Sequence, residues 1–540
     1  MLQNAEFYGK LKKLQHYCKD RITIRRVTMS FFDTIVNINN AVNDFVWVKI
    51  GLVLLIGTGI LTTIITKFFQ VTHIKEWWMA TIGGMFKKGN KVRKKGDKGS
   101  VSQFQALCTA LAATIGTGNI AGVSSAICVG GPGAVFWMWI AAFFGMMTNF
   151  SENILGIYYR RKNKEGEWSG GAMYYLKDGL GSYKGCKHIG GVLAVIFSIC
   201  AILASFGIGN MGQINKIVIN VEDAFFTKLG VDLGYVFGEV KLTSLIIGIV
   251  LMIIGGLIIL GGLQRIAAVA EKVVPFMAIA YVLGCIIILI VNISQIGAIF
   301  ASIFKFAFGV KAVVGGATGI AIKTVITQGC KRGVFSNEAG LGSSVMVHSA
   351  SNVKEPVHQG MWGIFEVFAD TFVVCTMTAV VVLSSGNIDL TTGLVKEGVS
   401  DATLVANAFG NVFGPVGNMF VAAAILLFAF TTVLGWSHYG SKSFEYLFGL
   451  KATKFYRVFF VLMIVSGALM TSSIAWDISD TFNGMMMVPN LIGVIALSPM
   501  VIKITRNYVD RNIRHIDTEP VLSFDPDIQA ETAKAIKEEK

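Results

Sequence analysis

Residues 112–122 read AATIGTGNIAG, so an apolar run is interrupted by Gly116-Thr117-Gly118-Asn119. A helix that unwinds inside hydrocarbon bares main-chain carbonyls and amides. That is tolerated only where those groups line a cavity or hold something. A second stretch of the same character runs from Gly329 to Gly333 and into Ser336-Asn337-Glu338-Ala339-Gly340. Both are predicted to be discontinuous membrane helices, the way a transporter builds a site at membrane depth.

Composition supports a membrane setting. Of 540 residues 53% are hydrophobic and 15% charged, against about 25% charged in ordinary soluble domains. The mean hydropathy is +0.62. A formal charge of +14 would suit nucleic acid if it formed one face or arm. Here the Lys and Arg fall in short clusters between apolar runs, which is a membrane topology pattern, so the partner is a lipid bilayer and no nucleic acid is expected. The eight cysteines lie mostly inside apolar segments with no CxxC spacing, and they read as packing residues. The polar, basic first 45 residues carry no cleavable signal pattern.

Runs near the roughly 20 residues that cross a bilayer predict an all-α polytopic protein of about eleven transmembrane helices: 46–66, then 103–128, 133–158, 190–211, 242–262, 273–294, 312–335, 360–384, 415–438, 455–472 and 483–503. Basic linkers, among them Lys87 to Lys98, Arg160 to Lys164, Lys331 with Arg332 and Lys354, Lys451 to Arg457, and Lys503 to Arg514, alternate with acidic ones bearing Glu222, Asp223, Glu239, Asp389, Glu397, Asp477 and Asp480. The positive-inside rule makes the first set, and the C-terminus, cytoplasmic and the second set external. A crossing at 46–66 then leaves the N-terminal tail outside despite Lys10, Lys12 and Lys13.

With the leading helix set aside, the interrupted segments are the first and sixth of ten. Odd spacing gives the halves opposite orientation, the mark of an inverted repeat whose broken first helices meet near the midplane. The expected organisation is a basic tail at 1–45, an extra helix at 46–66, five-helix repeats at 103–294 and 299–503, and a cytoplasmic tail at 504–540.

Gly116-x-Gly118 with Ala121 formally matches a dinucleotide fingerprint. The run before it is helix-length, however, and Phe136 stands where an acidic ribose partner belongs. Gly118 and Gly122 also suit small-residue helix packing. The sharper reading is an unwound turn whose amides and half-helix N-terminus receive a carboxylate, while the carbonyls just before it face a cation. Thr431 and Thr432 offer hydroxyl ligands, though Thr in a membrane helix ordinarily bonds back to the carbonyl a turn earlier. Trp436 lies one turn beyond Thr432 on the same face.

Phe206, Asn210 and Gln213 fall together in the fourth span. Gln213 reads equally as a substrate contact or as glue between helices. Glu366 and Asp370 share a face at i and i+4. They are read as a structural pair satisfied by Lys or Arg, with a proton relay as the alternative. Glu152 and Glu338 read as cytoplasmic-side network members. No HExxH, GxSxG or carboxylate pair near a His marks an intramembrane enzyme.

The stretches FQALCTALAATIGTGNIAGV (104–123), GGPGAVFWMWIAAFFGMMTNF (130–150), FGIGNMGQ (206–213), GCKRGVFSNEAGLGSS (329–344), FEVFADTFVVCTMTA (365–379), FAFTTVLGWSHYG (428–440) and WDISDTFNGMMMVPN (476–490) resemble the alanine or glycine:cation symporter family, over about 45–505. The resemblance implies sodium-coupled uptake of alanine or glycine in a bacterial-type plasma membrane, with no cofactor beyond the coupling ion. It implies the leucine-transporter-like 5+5 inverted-repeat fold preceded by one extra helix. It also implies that Thr117, Gly118, Asn119, Gln213 and Trp436 contact the amino acid, and that sodium sits between the carbonyls of Ala112 and Ile115 and the side chains of Thr431 and Thr432. On the same resemblance Asn337 and Glu338 are gating or structural. The rival functions are proton-coupled transport, and an amino-acid sensor or channel without coupled transport.

Overall fold

Helix α1 covers Asp33–Ile65, beginning earlier than the expected 46. The computed structural model of the chain describes residues 33–85, 99–227, 230–237, 240–308, 321–396, 401–470 and 474–538. The basic residues at 1–32, Lys87 to Lys98, Glu239 and Glu397 lie outside the described residues.

After short helical turns at Phe69–Thr72, Ile74–Ala80 and Ile82–Met85, Ser102 opens the helix that leads to the first break. Its Oγ accepts from the Gln105 amide at 3.1 Å while Gln105 Oε1 accepts from the Ser102 amide at 3.1 Å, a reciprocal cap that satisfies two orphan donors. Helix α2, Gln103–Thr114, then stops at Ile115, which adopts ψ 87°. Helix α3, Gly118–Gly130, restarts at an angle of 52°. The run before the glycines is thus helix and not strand, which removes the dinucleotide reading.

The chain continues through α4 (Gly133–Tyr158), α5 (Lys187–Thr227), α6 (Leu242–Ile259) and α7 (Gly262–Val291). A shorter helix α8 covers Ile293–Ala307. Next come α9 (Ile322–Asn337), α10 (Pro356–Ser384), α11 (Asp401–Phe413), α12 (Pro415–Phe448) and α13 (Thr453–Ala468). The last are α14 (Ile474–Ala496), α15 (Ser498–Asn512) and α16 (Pro526–Lys537). Among the described residues seven helices are long and apolar enough to cross a membrane, or nine if the bent pairs α2–α3 and α14–α15 each make one span. Residues 312–320 and 471–472 of two expected spans lie outside the described residues; among the described residues the spans at 312–335 and 455–472 are represented by the 16-residue helices α9 and α13.

Within the second stretch expected to be discontinuous, 329–340, the break falls at the far end and not at Gly329 or Gly333. α9 runs unbroken through Gly329 and Gly333 and ends at Asn337. A Cβ added at Gly329 would stand 2.3 Å from the Ala134 carbonyl, and one at Gly333 would stand 3.3 Å from Met138. These glycines serve the close approach of α9 to α4. The chain turns at Glu338 (φ 55°), Gly340 (φ 91°) and Gly342 (φ 72°), left-handed positions that end a helix, before a short turn of helix at Val345–His348.

α4 is the central post, with α9 and α10 packed on it, while α5 lies against α12 and α14. Large apolar side chains left exposed, such as Ile253 and Leu257 on α6 and Phe276, Leu283 and Ile290 on α7, form a belt suited to acyl chains. One expected sidedness fails. Lys331, assigned to a cytoplasmic linker, pairs with Asp480, assigned to an external one, at 2.9 Å. Both reside on helices, and Asn43 and the Trp47 indole of α1 also bond Asp480. Loop counting cannot see a charge buried on a helix.

Candidate functional site

Where α2 stops, the ladder passes to side chains. The Gly116 amide bonds Asn119 Oδ1 at 2.9 Å, and Asn119 Nδ2 donates to Asp370 Oδ1 at 2.6 Å. Thr117 Oγ1 donates to Gln213 Oε1 at 3.0 Å, and Gln213 Nε2 to the Ile208 carbonyl at 3.1 Å. Fully buried amides at membrane depth are thereby satisfied, which hydrocarbon demands.

Beside this turn lies a hollow of about 20 Å³, the room of roughly one water molecule. Gly116 and Gly118 face it from the break, Gln213 from α5, and Thr432 and Trp436 from α12. Phe335 and Glu338 close it from the second break, and Asn483 from α14. Of the anticipated contacts, Gly118, Gln213 and Trp436 therefore stand in its wall. Thr117 and Asn119 sit one layer behind, bonded to Gln213 and Asp370.

Of the anticipated sodium ligands, Thr432 Oγ1 comes close to the break: a Cβ on Gly116 would stand 2.5 Å from it. Gly435, on the same helix, lies so near α2 that a Cβ would meet Ala113 at 2.7 Å. Both threonines also bond back, Thr431 Oγ1 to the carbonyls of Leu427 (2.9 Å) and Phe428 (3.0 Å), and Thr432 Oγ1 to that of Phe428 (3.0 Å). Back-bonding uses the hydroxyl hydrogen and leaves oxygen lone pairs for a cation. Ala112 and Ile115 are buried at the end of α2.

Glu338, read as gating or structural, caps the end of α9 and in addition borders the hollow, a place not anticipated for it, with its Oε1 accepting from Trp436 Nε1 at 3.0 Å and its Oε2 from Ser343 Oγ at 2.5 Å. The missed signal was the residue type, since an ionisable group inside an apolar span is a functional candidate by default. Asn483 was also missed. It is buried, and its Oδ1 has no hydrogen-bond partner among the described residues.

Glu366 and Asp370 do not form the anticipated pair with Lys or Arg. Glu366 Oε2 lies 3.0 Å from both Asn149 Nδ2 and His348 Nε2. Asp370 accepts from Asn119, from Ser336 Oγ at 3.1 Å and from Thr371 Oγ1 at 2.9 Å, and Thr371 in turn accepts from Asn337 Nδ2 at 3.0 Å. Asp370 thus joins both broken helices. Asn210 behaves as glue, donating to the Phe460 carbonyl at 2.7 Å. Glu152 bonds Asn490, which reaches the Gly340 carbonyl at 2.8 Å.

Comparison with known proteins follows the same lines. The profile described as the sodium:alanine symporter family matches residues 32–522. The "Sodium/alanine symporter AgcS" of Methanococcus maripaludis is 42% identical over 477 residues, covering 88% of this chain and 97% of its own. An uncharacterized transporter of Haemophilus influenzae is 39% identical over 492 residues, 91% of this chain and 100% of its own. The "Probable sodium/glutamine symporter GlnT" of Bacillus subtilis is 36% identical over 468 residues, 86% and 89% respectively. A solved structure, "Crystal structure of MhsT in complex with L-phenylalanine", aligns at 15% identity with a TM-score of 0.49, covering 76% of this chain and 99% of that one.

Proposed function

Because the chain belongs to the sodium:alanine symporter family, a family of multi-pass amino-acid:cation symporters, we propose that it takes up alanine or glycine together with sodium by alternating access. The observation that carries this reading is the hollow at the first helix break. Main-chain groups of a discontinuous helix there meet Gln213, Glu338, Thr432, Trp436 and Asn483.

In this reading the amides at the start of α3 take the substrate carboxylate, as helix N-termini do. The ammonium group turns to Asn483 Oδ1 and to the Glu338 carboxylate. Sodium lies on the other side of the same turn, between the carbonyls of Ala112 and Ile115 and the hydroxyls of Thr431 and Thr432. Ion and substrate need not touch. Each favours the same ordered form of the 115–119 segment, and such coupling is reciprocal. At about 20 Å³ the hollow is too small for an amino acid, so the wall side chains swing outward to admit one. In this reading the two broken segments are the first helices of the two halves of a five-plus-five inverted arrangement preceded by α1.

Uptake of labelled alanine into proteoliposomes tests the proposal. Accumulation is expected with an inward sodium gradient and should be competed by glycine. Binding without accumulation would mark a sensor or a channel instead. Asp370, buried without a cationic partner among the described residues and joined to both breaks, favours a second reading, proton coupling. Uptake driven by a pH gradient in the absence of sodium would select it.

Trp436→Ala should widen the range of substrates. The indole fills the wall opposite the glycines, and each methylene a pocket rejects is worth about 1–3 kcal/mol. Larger neutral amino acids are expected to inhibit alanine uptake roughly 10-fold or more better in the variant. An unchanged inhibition profile would remove Trp436 from the pocket.

A further inference from the structure

A second, much larger cavity opens away from the hollow at the first break. It is a groove of about 710 Å³ at the start of α5, within the usual size range of ligand pockets. Its two ends differ in chemistry. One carries Lys177, Lys187 and His188; the other is the apolar strip Val192, Val195 and Ile196.

The strip belongs to a longer exposed stripe on α5. Ile189, Val192, Ile196, Ile199 and Leu203 recur at helical spacing and are 53%, 56%, 40%, 45% and 39% exposed, so this face meets acyl chains. The cationic end therefore lies at headgroup level, where the helix begins. It belongs to the same connection between α4 and α5 as the basic segment Arg160 to Lys164, which the positive-inside rule assigns to the cytoplasmic leaflet.

The charge balance at the mouth is positive. Asp178, the one carboxylate in the wall, is held by Arg161 in an ion pair. Among the described residues neither Lys177 nor Lys187 has a carboxylate partner; the Lys177 ammonium lies 5.8 Å from the centre of the Tyr446 ring. Nothing stands within 4 Å of a Cβ added at Gly191, which lines the groove, so the middle of the groove is open. Phe524, anchored by its amide to the Tyr158 carbonyl at 2.9 Å, forms the remaining wall.

We propose that this groove binds an anionic phospholipid of the surrounding leaflet. Lys177, Lys187 and His188 hold the phosphate, and one acyl chain lies along Val192, Val195 and Ile196. Two cations above a lipid-facing apolar wall suit a molecule that is anionic at one end and hydrocarbon at the other. Basic pockets at this depth are where such headgroups are recognised.

The test is native mass spectrometry of the full chain in mild detergent, titrated with phosphatidylglycerol or with phosphatidylcholine. Phosphatidylglycerol should occupy one saturable site and phosphatidylcholine should bind far more weakly. K177Q/K187Q should weaken phosphatidylglycerol by roughly fivefold per charge, hence about 25-fold, and K177R/K187R should restore it. Gly191→Trp fills the groove without altering charge and should also reduce binding. Equal affinity for the two lipids in the parent would overturn the proposal, as would undiminished phosphatidylglycerol binding by K177Q/K187Q or by Gly191→Trp. Displacement of the lipid by excess inorganic phosphate would assign the site to a free anion and overturn it too.

Discussion

Asp370→Ala is expected to abolish alanine uptake and to lower the melting temperature of the purified protein. The carboxylate is the acceptor for Asn119 Nδ2, Ser336 Oγ and Thr371 Oγ1. Removing it leaves three buried donors without it, each at a cost of about 1–3 kcal/mol. The damage reaches both breaks at once. Asn119 caps the Gly116 amide through its other amide atom, and Thr371 supports Asn337, the last residue of α9. A loss of at least 100-fold in uptake is expected, since about 3 kcal/mol corresponds to roughly that factor. Asp370→Asn separates shape from acceptor capacity. Its oxygen can still serve Asn119 and Ser336, but its amide faces the Thr371 hydroxyl, which already accepts from Asn337. One donor stays unmet, so an intermediate loss is expected. Uptake in proteoliposomes and a melting curve in detergent check both variants. Wild-type uptake by Asp370→Ala would show that the two breaks are held by something else.

The first break was legible because two glycines within three residues interrupt an otherwise apolar helical run, and the structure bends between α2 and α3 by 52°. The span at 133–158 was legible to the residue, bounded by Gly131 and Pro132 on one side and by polar residues from Tyr159 on. The second break was legible as a stretch, 329–340, but not as a position, because a glycine in a membrane helix carries two meanings. Gly329 and Gly333 let α4 approach, while the residue that breaks the helix, Glu338 at φ 55°, is not a glycine at all. Helix ends were blurred for a related reason. α12 runs on to Phe448, past the expected 438, because a helix continues through polar residues once its ladder is established. Partner choice was the least legible. No periodicity says that Asp370 reaches Asn119 across 251 positions, or that Lys331 finds Asp480. Only the fold brings them together.

Thr432→Ala is expected to raise the sodium concentration needed for half-maximal uptake by about 10- to 100-fold, the range that a lost oxygen contact to a charged group, about 1.5–3 kcal/mol, would produce. The position of the hydroxyl motivates the choice. Thr432 Oγ1 lies against Gly116 at the start of the unwound turn, and its hydrogen is committed to the Phe428 carbonyl at 3.0 Å. The hydroxyl therefore faces the break as an acceptor, which is the polarity a sodium ion requires. Thr432 also borders the hollow, so the same variant could act on the amino acid instead, and three measurements divide the cases. Thr432→Ser keeps the oxygen and should retain the sodium dependence of the parent. Thr432→Val keeps the volume without the oxygen and should behave as Thr432→Ala does. At saturating sodium the apparent affinity for alanine should then return close to that of the parent in both oxygen-less variants, because only ion binding has been weakened. If alanine affinity stays low at every sodium concentration, Thr432 contacts the substrate. If neither constant moves, the hydroxyl serves only its own helix and the proposed ion site lies elsewhere.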